Sequence, residues 1–222
     1  MARITILGGS GYAGSALVAE AARRGHDVTS VSRTTPEERV AGVDYVAGDV
    51  VHRETLTSVI EGRDAVVVAL SPRGDMVGKV EGVLEDLIRT LEGTDTRLGY
   101  IGGASSLHLS EGGPTLWDVS HEQLPPEVKP EIETGLHAFD MLKASPESLD
   151  WFYVSPPSDF GSWLGTASRG SYVLGGDVLL KDDEDASTIS ADDLALAIID
   201  EVEQPKHRRG RFTAIWGPKT ES

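Results

Sequence analysis

Short apolar runs and helical apolar stripes alternate along the chain, and this alternation predicts βαβ units with a parallel sheet. The clearest buried strand is Ala65–Leu70, and the clearest amphipathic helix lies between Met76 and Leu91. The other predicted strands lie around Ile4–Leu7, Asp27–Ser32, Val43–Ala47, Arg97–Ile101, Asp150–Val154, Tyr172–Leu174 and Arg211–Trp216. The other predicted helices are Ser15–Arg24, Glu54–Glu61, Glu131–Lys143 and Ala191–Glu203, the last with Ser190 as its N-cap.

This order of elements predicts an α/β fold, a doubly wound Rossmann-type parallel sheet with a small C-terminal lobe. We expect a single domain over residues 1–222, in which about 156–222 form a small lobe on the substrate side. Residues 107–130 are rich in glycine, proline and polar residues, so we expect a long loop over the carboxyl edge of the sheet. Loops in that position commonly cover ligands.

The charge balance excludes some partners. The 222 residues include 36 acidic and 20 basic side chains, for a net charge of −16, which repels nucleic acids and anionic membranes. There is no cysteine, which excludes disulfides, thiol catalysis and cysteine-bound metals. With no signal peptide or membrane span in the sequence, we expect a cytoplasmic protein, either a monomer or a homodimer. The acidic run Asp182–Asp185 is interpreted as a solvated loop, with a cation site as the alternative.

Three spaced glycines follow the first strand, in the segment GGSGYAG at residues 8–14. Gly8 permits a sharp turn, Gly11 permits close approach of the backbone to phosphate oxygens, and Gly14 permits tight packing of the next helix. The intervening Ser10, Tyr12 and Ala13 lie at the start of that helix, whose free N–H groups favour an anion. The pattern predicts a dinucleotide-binding site, and the alternative is a glycine-rich turn without a ligand.

The end of the second strand bears on which dinucleotide is bound. An acidic residue there would bind the ribose hydroxyls of NAD, but this strand ends in Ser32-Arg33-Thr34-Thr35. A guanidinium suits the 2′-phosphate of NADP, so Arg33 favours NADP(H), with NAD(H) as an alternative and an unliganded surface arginine as another. Asp49 and Val50 follow the third strand and could contact the adenine, although Asp49 could equally be the N-cap of the next helix.

Residues at the ends of the later strands would surround the nicotinamide. They are Ala69, Leu70 and Ser71 after the fourth strand, Gly103 after the fifth, and Ser155 and Pro156 after the sixth. Ser105 and Ser106 could donate a hydrogen bond to an acceptor carbonyl, and Ser105 is the candidate catalytic residue. The alternative for both serines is to satisfy the sharp turn after Gly103, and Ser-Pro at a strand end is also a common turn.

These motifs together resemble the atypical short-chain dehydrogenase/reductase-like, NAD(P)H-binding proteins. The resemblance covers nearly the whole chain and rests on the segments Gly8–Gly14, Gly48–Val50, Gly102–Leu107, Asp150–Pro157 and Ser190–Ala195, with Arg33. Within them the chain is most similar to the NADH-flavin reductase group, which is related to biliverdin reductase B and to NmrA-like proteins. The resemblance implies NADP(H) at the carboxyl edge, with hydride transfer to flavins or quinones in some members and dinucleotide sensing alone in others.

One feature departs from the orthodox short-chain dehydrogenases, which use a Tyr-x-x-x-Lys pair to move a proton. The residues four positions after the five tyrosines (Tyr12, Tyr45, Tyr100, Tyr153 and Tyr172) are Ala16, Asp49, Ala104, Pro157 and Gly176. The sequence therefore argues against alcohol–ketone chemistry and against sugar epimerase or dehydratase activity. Reduction of a flat acceptor needs mainly a well-positioned hydride donor, so the missing pair does not exclude an enzyme.

The remaining candidates are aromatic and imidazole side chains. His108, His121 and His137 are interpreted as surface or core residues, and no set of residues has metal-ligand spacing. Trp117, Phe160 and Trp163 could stack on a flat ring or form local loop cores. We therefore expect an NADP(H)-dependent reductase of a small flavin-like or quinone-like molecule. The alternative is a non-catalytic NADP(H) sensor that acts through a protein partner.

Overall fold

The computed structural model describes residues 1–218, and in this part of the chain eight strands form one sheet. The strands are β1 (Arg3–Leu7), β2 (Asp27–Ser32), β3 (Val43–Ala47), β4 (Ala65–Val68), β5 (Arg97–Ile101), β6 (Trp151–Ser155), β7 (Tyr172–Gly175) and β8 (Gly210–Trp216). Their order is β3-β2-β1-β4-β5-β6-β8-β7. Neighbouring strands are parallel except for β7, which runs antiparallel to β8 at one edge.

Helices cover both faces of this sheet. They are α1 (Tyr12–Arg23), α2 (Arg53–Ile60), α3 (Val80–Leu91), α4 (Leu116–Ser120), α5 (Lys129–Lys143) and α6 (Ala191–Glu203). The buried side chains of α1 and α6 share one hydrophobic cluster, and those of α2, α3 and α5 share the other. The predicted doubly wound α/β fold is therefore confirmed.

The central strands are apolar on both faces, as expected for a parallel sheet between two helix layers. In β4, Val66 and Val68 join the cluster beneath α2, α3 and α5, while Ala65 and Val67 join the cluster beneath α1 and α6. All four side chains are at most 1% exposed. This continuous apolar run is why β4 was the clearest strand in the sequence.

Several predicted boundaries differ from the structure. The predicted first helix began at Ser15, but α1 begins at Tyr12, immediately after the glycine turn. The predicted helix from Met76 begins only at Val80 because Gly78 adopts a φ of 71°, a left-handed conformation that no α-helix accommodates. The predicted fourth strand extended to Leu70, but β4 ends at Val68.

The segment 107–130 is not the continuous loop that we predicted. Its residues 116–120 form α4, which begins with a capping box in which the Thr115 hydroxyl accepts from the Asp118 N–H. The interpretation of 156–222 as a small substrate-side lobe stays a prediction. The structure joins β7 and β8 to the main sheet and packs α6 beside α1, and residues 219–222 lie outside the described part of the chain.

Candidate functional site

The turn between β1 and α1 lies at the carboxyl edge, where the strand order reverses between β1 and β4. The Gly8 N–H donates to the Val31 carbonyl over 2.8 Å, which ties the turn to β2. Gly8 has a φ of 90°, and a Cβ there would lie 2.5 Å from the Ala69 carbonyl oxygen. Only glycine fits this position, because the conformation and the close backbone of the β4 loop both exclude a side chain.

The other glycines of the turn fall into two classes. A Cβ on Gly9 would lie 2.2 Å from the Ser30 Oγ, and one on Gly14 would lie 2.1 Å from the Gly8 carbonyl oxygen. These two glycines are therefore required by packing within the protein. A Cβ on Gly11 would meet only the Gly8 oxygen, at 3.3 Å, so the space beside Gly11 is otherwise open. Protein packing leaves room for a side chain at Gly11, and a bound phosphate would fill that room.

The N-terminus of α1 is suited to an anion. Its N-cap is Gly11, so no side chain caps the helix, and its first turn contains no acidic residue. By contrast, the hydroxyl of Ser190 accepts from the Asp193 N–H at the start of α6. Unpaired N–H groups at a helix start, beside open space at Gly11, fit the pyrophosphate of a dinucleotide.

A cavity of about 870 Å³ runs along the carboxyl edge from this turn. It is lined by nearly all of the residues that the sequence nominated: Gly8, Ser10, Gly11, Tyr12, Ala13, Arg33, Asp49, Val50, Ala69, Leu70, Ser71, Gly103, Ser105 and Pro156. Gly14 and Ser155 do not line it. Gly14 instead packs on Gly8, as its proposed role requires. Ser155 is fully buried opposite Thr213 on β8, so its side chain does not border the cavity.

The end of the cavity at β2 and β3 holds Arg33 and Asp49. The Arg33 side chain is 56% exposed, and its nearest acidic partner is Asp75, with 3.4 Å between Nη1 and Oδ2. Asp49 is not the N-cap of α2, as one alternative proposed, because that position belongs to His52. The Asp49 carboxylate accepts from the Val51 N–H over 3.1 Å, and this short turn holds it at the cavity.

Ser105 and Ser106 lie together on a single 3-10 turn after β5, but they differ in their contacts. Arg211 on β8 donates from Nη1 to the Ser106 Oγ over 2.8 Å and to the Ser106 carbonyl over 3.0 Å. Arg211 is itself paired with Asp177. Ser106 thus ties the turn to β8 through Arg211. The Ser105 hydroxyl has no hydrogen-bond partner within residues 1–218, and it lines the cavity.

Two stacked tyrosines, which the sequence did not indicate as site residues, line the cavity beneath this turn. Tyr100 and Tyr153 are register partners on β5 and β6, with ring centroids 5.6 Å apart and nearly parallel. The Tyr153 Oη donates to the Gly135 carbonyl over 3.0 Å. Burial raises the pKa of both phenols, so both stay protonated at neutral pH. Their positions at the carboxyl ends of adjacent strands were the signal that could have identified them.

The far end of the cavity has an apolar wall that the sequence did not predict. It is formed by five partly exposed aliphatic side chains from α4, α5 and the segment between them: Leu116, Leu124, Val128, Ile132 and Leu136. The last three recur every four residues, so they lie on one face of the helix region. This spacing was visible in the sequence, but the direction of the helix face depends on the tertiary packing of α5.

Of the three loop aromatic residues, one packs locally and two line the cavity, where they could stack on a flat ring. Trp117 stacks on His121, with ring centroids 5.3 Å apart, and does not line the cavity. Phe160 and Trp163 do line it, and Trp163 is 68% exposed. Phe160 also packs against Tyr12 at 5.3 Å, which joins the glycine turn to the loop after β6.

The histidines and the acidic run have structural contacts. Within residues 1–218, the cavity lining does not include His108, His121 or His137. In the acidic run, the Asp182 carboxylate accepts from two backbone N–H groups of its own turn, and Asp185 pairs with Lys181. Among the described residues, no group of three or more acidic or histidine side chains is arranged to hold a metal ion. Over the same residues, no helix is both long and apolar enough to cross a bilayer.

Comparison with known proteins finds relatives that match nearly the whole length of this chain. The uncharacterized protein YwnB of Bacillus subtilis is 32% identical over 216 residues, covering 96% of this chain and 98% of that protein. A crystal structure of a "putative NADH-flavin reductase" from Streptococcus pneumoniae matches with a TM-score of 0.85 and 28% identity, covering 98% of this chain and 100% of that chain. A "putative epimerase" from Bacteroides thetaiotaomicron matches with a TM-score of 0.83 and 31% identity over the full length of both chains.

A family model described as NAD(P)H-binding matches residues 8–205, which include the glycine turn and all of the cavity lining. The chain therefore belongs to the NAD(P)H-binding family.

Proposed function

We propose that this protein is an NADP(H)-dependent oxidoreductase that transfers hydride to a flat acceptor such as a flavin or quinone. The observation that carries the proposal is the continuity of the cavity. One cavity extends from Arg33, past the glycine turn, to the apolar wall on α5. A dinucleotide and a flat second molecule could therefore lie in contact, as hydride transfer requires. The similarity to the Streptococcus pneumoniae protein supports the same reaction class.

The residues of the first half of the cavity would hold the dinucleotide. The α1 N-terminus and Gly11 would bind the pyrophosphate, and Asp49 and Val50 would contact the adenine. Arg33 would pair with the 2′-phosphate, because its guanidinium is exposed and only loosely paired with Asp75. The bound dinucleotide supplies the hydride.

The turn after β5 would orient the acceptor. Arg211 holds Ser106, and this fixes the neighbouring Ser105 with its hydroxyl free to donate to an acceptor carbonyl. The apolar wall would exclude water from the acceptor ring and bind its face. Neither role needs the Tyr-Lys pair, and among residues 1–218 no lysine lines the cavity.

A second candidate function is a non-catalytic NADP(H) sensor that acts through a protein partner. It is favoured by the ionisable groups at the cavity. Among the described residues, those lining it include neither lysine nor histidine, and burial raises the pKa of Tyr100 and of Tyr153. Without a lysine or histidine among these residues, the site suits binding better than acid–base catalysis.

The two candidates are separated by following nicotinamide absorbance while the protein is mixed with NADPH and a panel of flavins and quinones. Protein fluorescence, recorded in parallel, reports binding. Oxidation of NADPH that depends on both protein and acceptor supports the reductase. Saturable binding without oxidation by any acceptor contradicts it and supports the sensor.

A further inference from the structure

Four charged side chains line the cavity within residues 1–218, two at the adenosine end and two near the apolar wall. They are Arg33, Asp49, Arg73 and Glu131. Arg33 and Asp49 follow β2 and β3, at the end assigned above to the adenosine. Arg73 follows β4, and Glu131 lies in the first turn of α5, beside the apolar wall. The part of the cavity left for the acceptor therefore has one cation and one anion.

These two charges are paired with each other. The Arg73 Nε donates to the Glu131 Oε2, in an ion pair that joins the loop after β4 to α5. The carboxylate is the more buried partner, with its side chain 25% exposed against 60% for Arg73. Because Glu131 already neutralises Arg73, this end of the cavity offers no unpaired cation to a phosphate or carboxylate.

The surroundings of the ion pair add to this effect. Val128 and Ile132 flank Glu131 on the apolar wall and offer no hydrogen-bond donor from their side chains. The protein as a whole carries a net charge of −16. An anionic group on the acceptor would therefore meet an ion pair that is already neutral and an acidic surface beyond it, so nothing would compensate the loss of its hydration.

We propose that the acceptor is an uncharged flat ring system, and that Glu131, through its pairing with Arg73, selects against phosphorylated flavins. This inference rests on the proposed function for its second ligand. It concerns the binding of the acceptor, however, so it can be tested without turnover.

Riboflavin and FMN form a matched pair of probes, because they share the same ring and differ by one phosphate. Binding of each is measured by flavin fluorescence in the presence of saturating NADP⁺. We expect riboflavin to bind at least about tenfold more tightly than FMN, because the FMN phosphate would lose hydration there and gain no cationic partner. Lowering the ionic strength should widen this ratio, since screening weakens.

Two variants test the assignment to Glu131. Glu131→Gln removes the anion and leaves Arg73 unpaired, so the preference for riboflavin over FMN should fall by about tenfold. Glu133→Gln removes the same charge from the same helix at an exposed position outside the cavity, and it should keep the wild-type ratio.

Each outcome separates this inference from the proposed function. Equal binding of riboflavin and FMN by the wild type, or no binding of either, overturns the inference even if NADPH is oxidised with another acceptor. An equal change of the ratio in the Glu131→Gln and Glu133→Gln variants overturns the role of Glu131. Selective riboflavin binding without NADPH oxidation by any acceptor supports the inference and contradicts the reductase.

Discussion

Gly14 at the start of α1 packs directly on the backbone of Gly8, and a Cβ on Gly14 would lie 2.1 Å from the Gly8 carbonyl oxygen. The obstacle is backbone, which cannot rotate away as a side chain could. We therefore expect Gly14→Ala to lower the free energy of unfolding by about 1–3 kcal/mol, the usual range for overpacking. Urea denaturation of the variant and the wild type measures this difference. An unchanged midpoint and slope would show that α1 can shift without penalty.

Gly11→Val should affect binding instead of stability. Gly11 has a φ of −78° and a ψ of 172°, an extended conformation that valine accepts, and its Cβ would meet only the Gly8 oxygen at 3.3 Å. The side chain would, however, occupy the space assigned to the pyrophosphate. We expect affinity for both NADPH and NADH to fall at least about tenfold, or 1.4 kcal/mol, with little change in thermal unfolding. Normal binding by a folded variant would place the phosphates elsewhere.

Arg33→Ala should discriminate between the two dinucleotides. A hydrogen-bonded ion pair with the 2′-phosphate contributes about 1.5–3 kcal/mol, so NADPH affinity should fall by about 10- to 100-fold. NADH lacks that phosphate, and its affinity should change much less. Arg39→Ala is the matched control, because Arg39 contacts Thr35 and Tyr45 and does not line the cavity. Equal losses for NADPH and NADH in the Arg33 variant would contradict the 2′-phosphate assignment.

Ser105 and Ser106 are neighbours with different contacts, so their alanine variants should differ. Ser105→Ala should lower kcat with a flat acceptor by about 2- to 10-fold, the effect of one neutral hydrogen bond, and leave NADPH affinity unchanged. Ser106→Ala removes an acceptor of the Arg211 guanidinium and should lower stability by about 1 kcal/mol. Steady-state kinetics and thermal unfolding of both variants test this. The same kinetic loss in both would indicate a general disturbance of the turn.

Asp193 on α6 should make the stability depend on pH. It is fully buried and accepts from the Ser168 Oγ, the Trp216 Nε1 and the Gly170 N–H. Burial alone would raise the pKa of Asp193, but the hydrogen bonds outweigh it and lower the pKa below its ordinary value near 3.8. A lowered pKa in the folded state means that the carboxylate stabilises the fold fully above that ordinary value. This stabilisation is lost as the pH falls through the lower, folded-state pKa.

The test for Asp193 is the Asp193→Asn variant, unfolded by urea at several pH values. At neutral pH we expect it to be less stable than the wild type by about 1.5–3 kcal/mol, the range for hydrogen bonds to a charged group. The difference should narrow as the pH falls below the ordinary value near 3.8 towards the lower pKa of the folded state, because the carboxylate then protonates first in the unfolded chain. A difference that is independent of pH would show that the charge of Asp193 does not contribute.

The sequence predicted the layered fold because its signals are local. Each signal determines the strand or helix in which it lies, through conformation or periodicity: the Ala65–Val68 run for β4, the glycine turn for α1 and the Ser190 cap for α6. The boundary errors arose where a local conformation interrupted a periodic pattern, as Gly78 does before α3. The nominated residues at the glycine turn and strand ends could be predicted for a related reason, since topology alone brings the carboxyl ends of parallel strands to one edge.

The acceptor end could not be predicted in the same way. The ion pair between Arg73 and Glu131 joins residues 58 positions apart, and nothing local to either residue indicates the other. Likewise, Arg211 on the last parallel strand reaches back to Ser106 across 105 positions. Such contacts depend on how the α5 segment and the β8 strand pack, which is decided by the tertiary structure and not by the periodicity of either segment.

The wide spacing of the cavity lining along the chain has a consequence for the cell. The lining extends from Gly8 to Trp163, and no short stretch of the chain contains more than a part of it. A dinucleotide bound there would bind the native chain and not the unfolded one, adding about 2.7 kcal/mol of stability at a free concentration one hundred times its dissociation constant. A larger supply of nicotinamide dinucleotide would then leave fewer chains unfolded and exposed to proteolysis during heat stress.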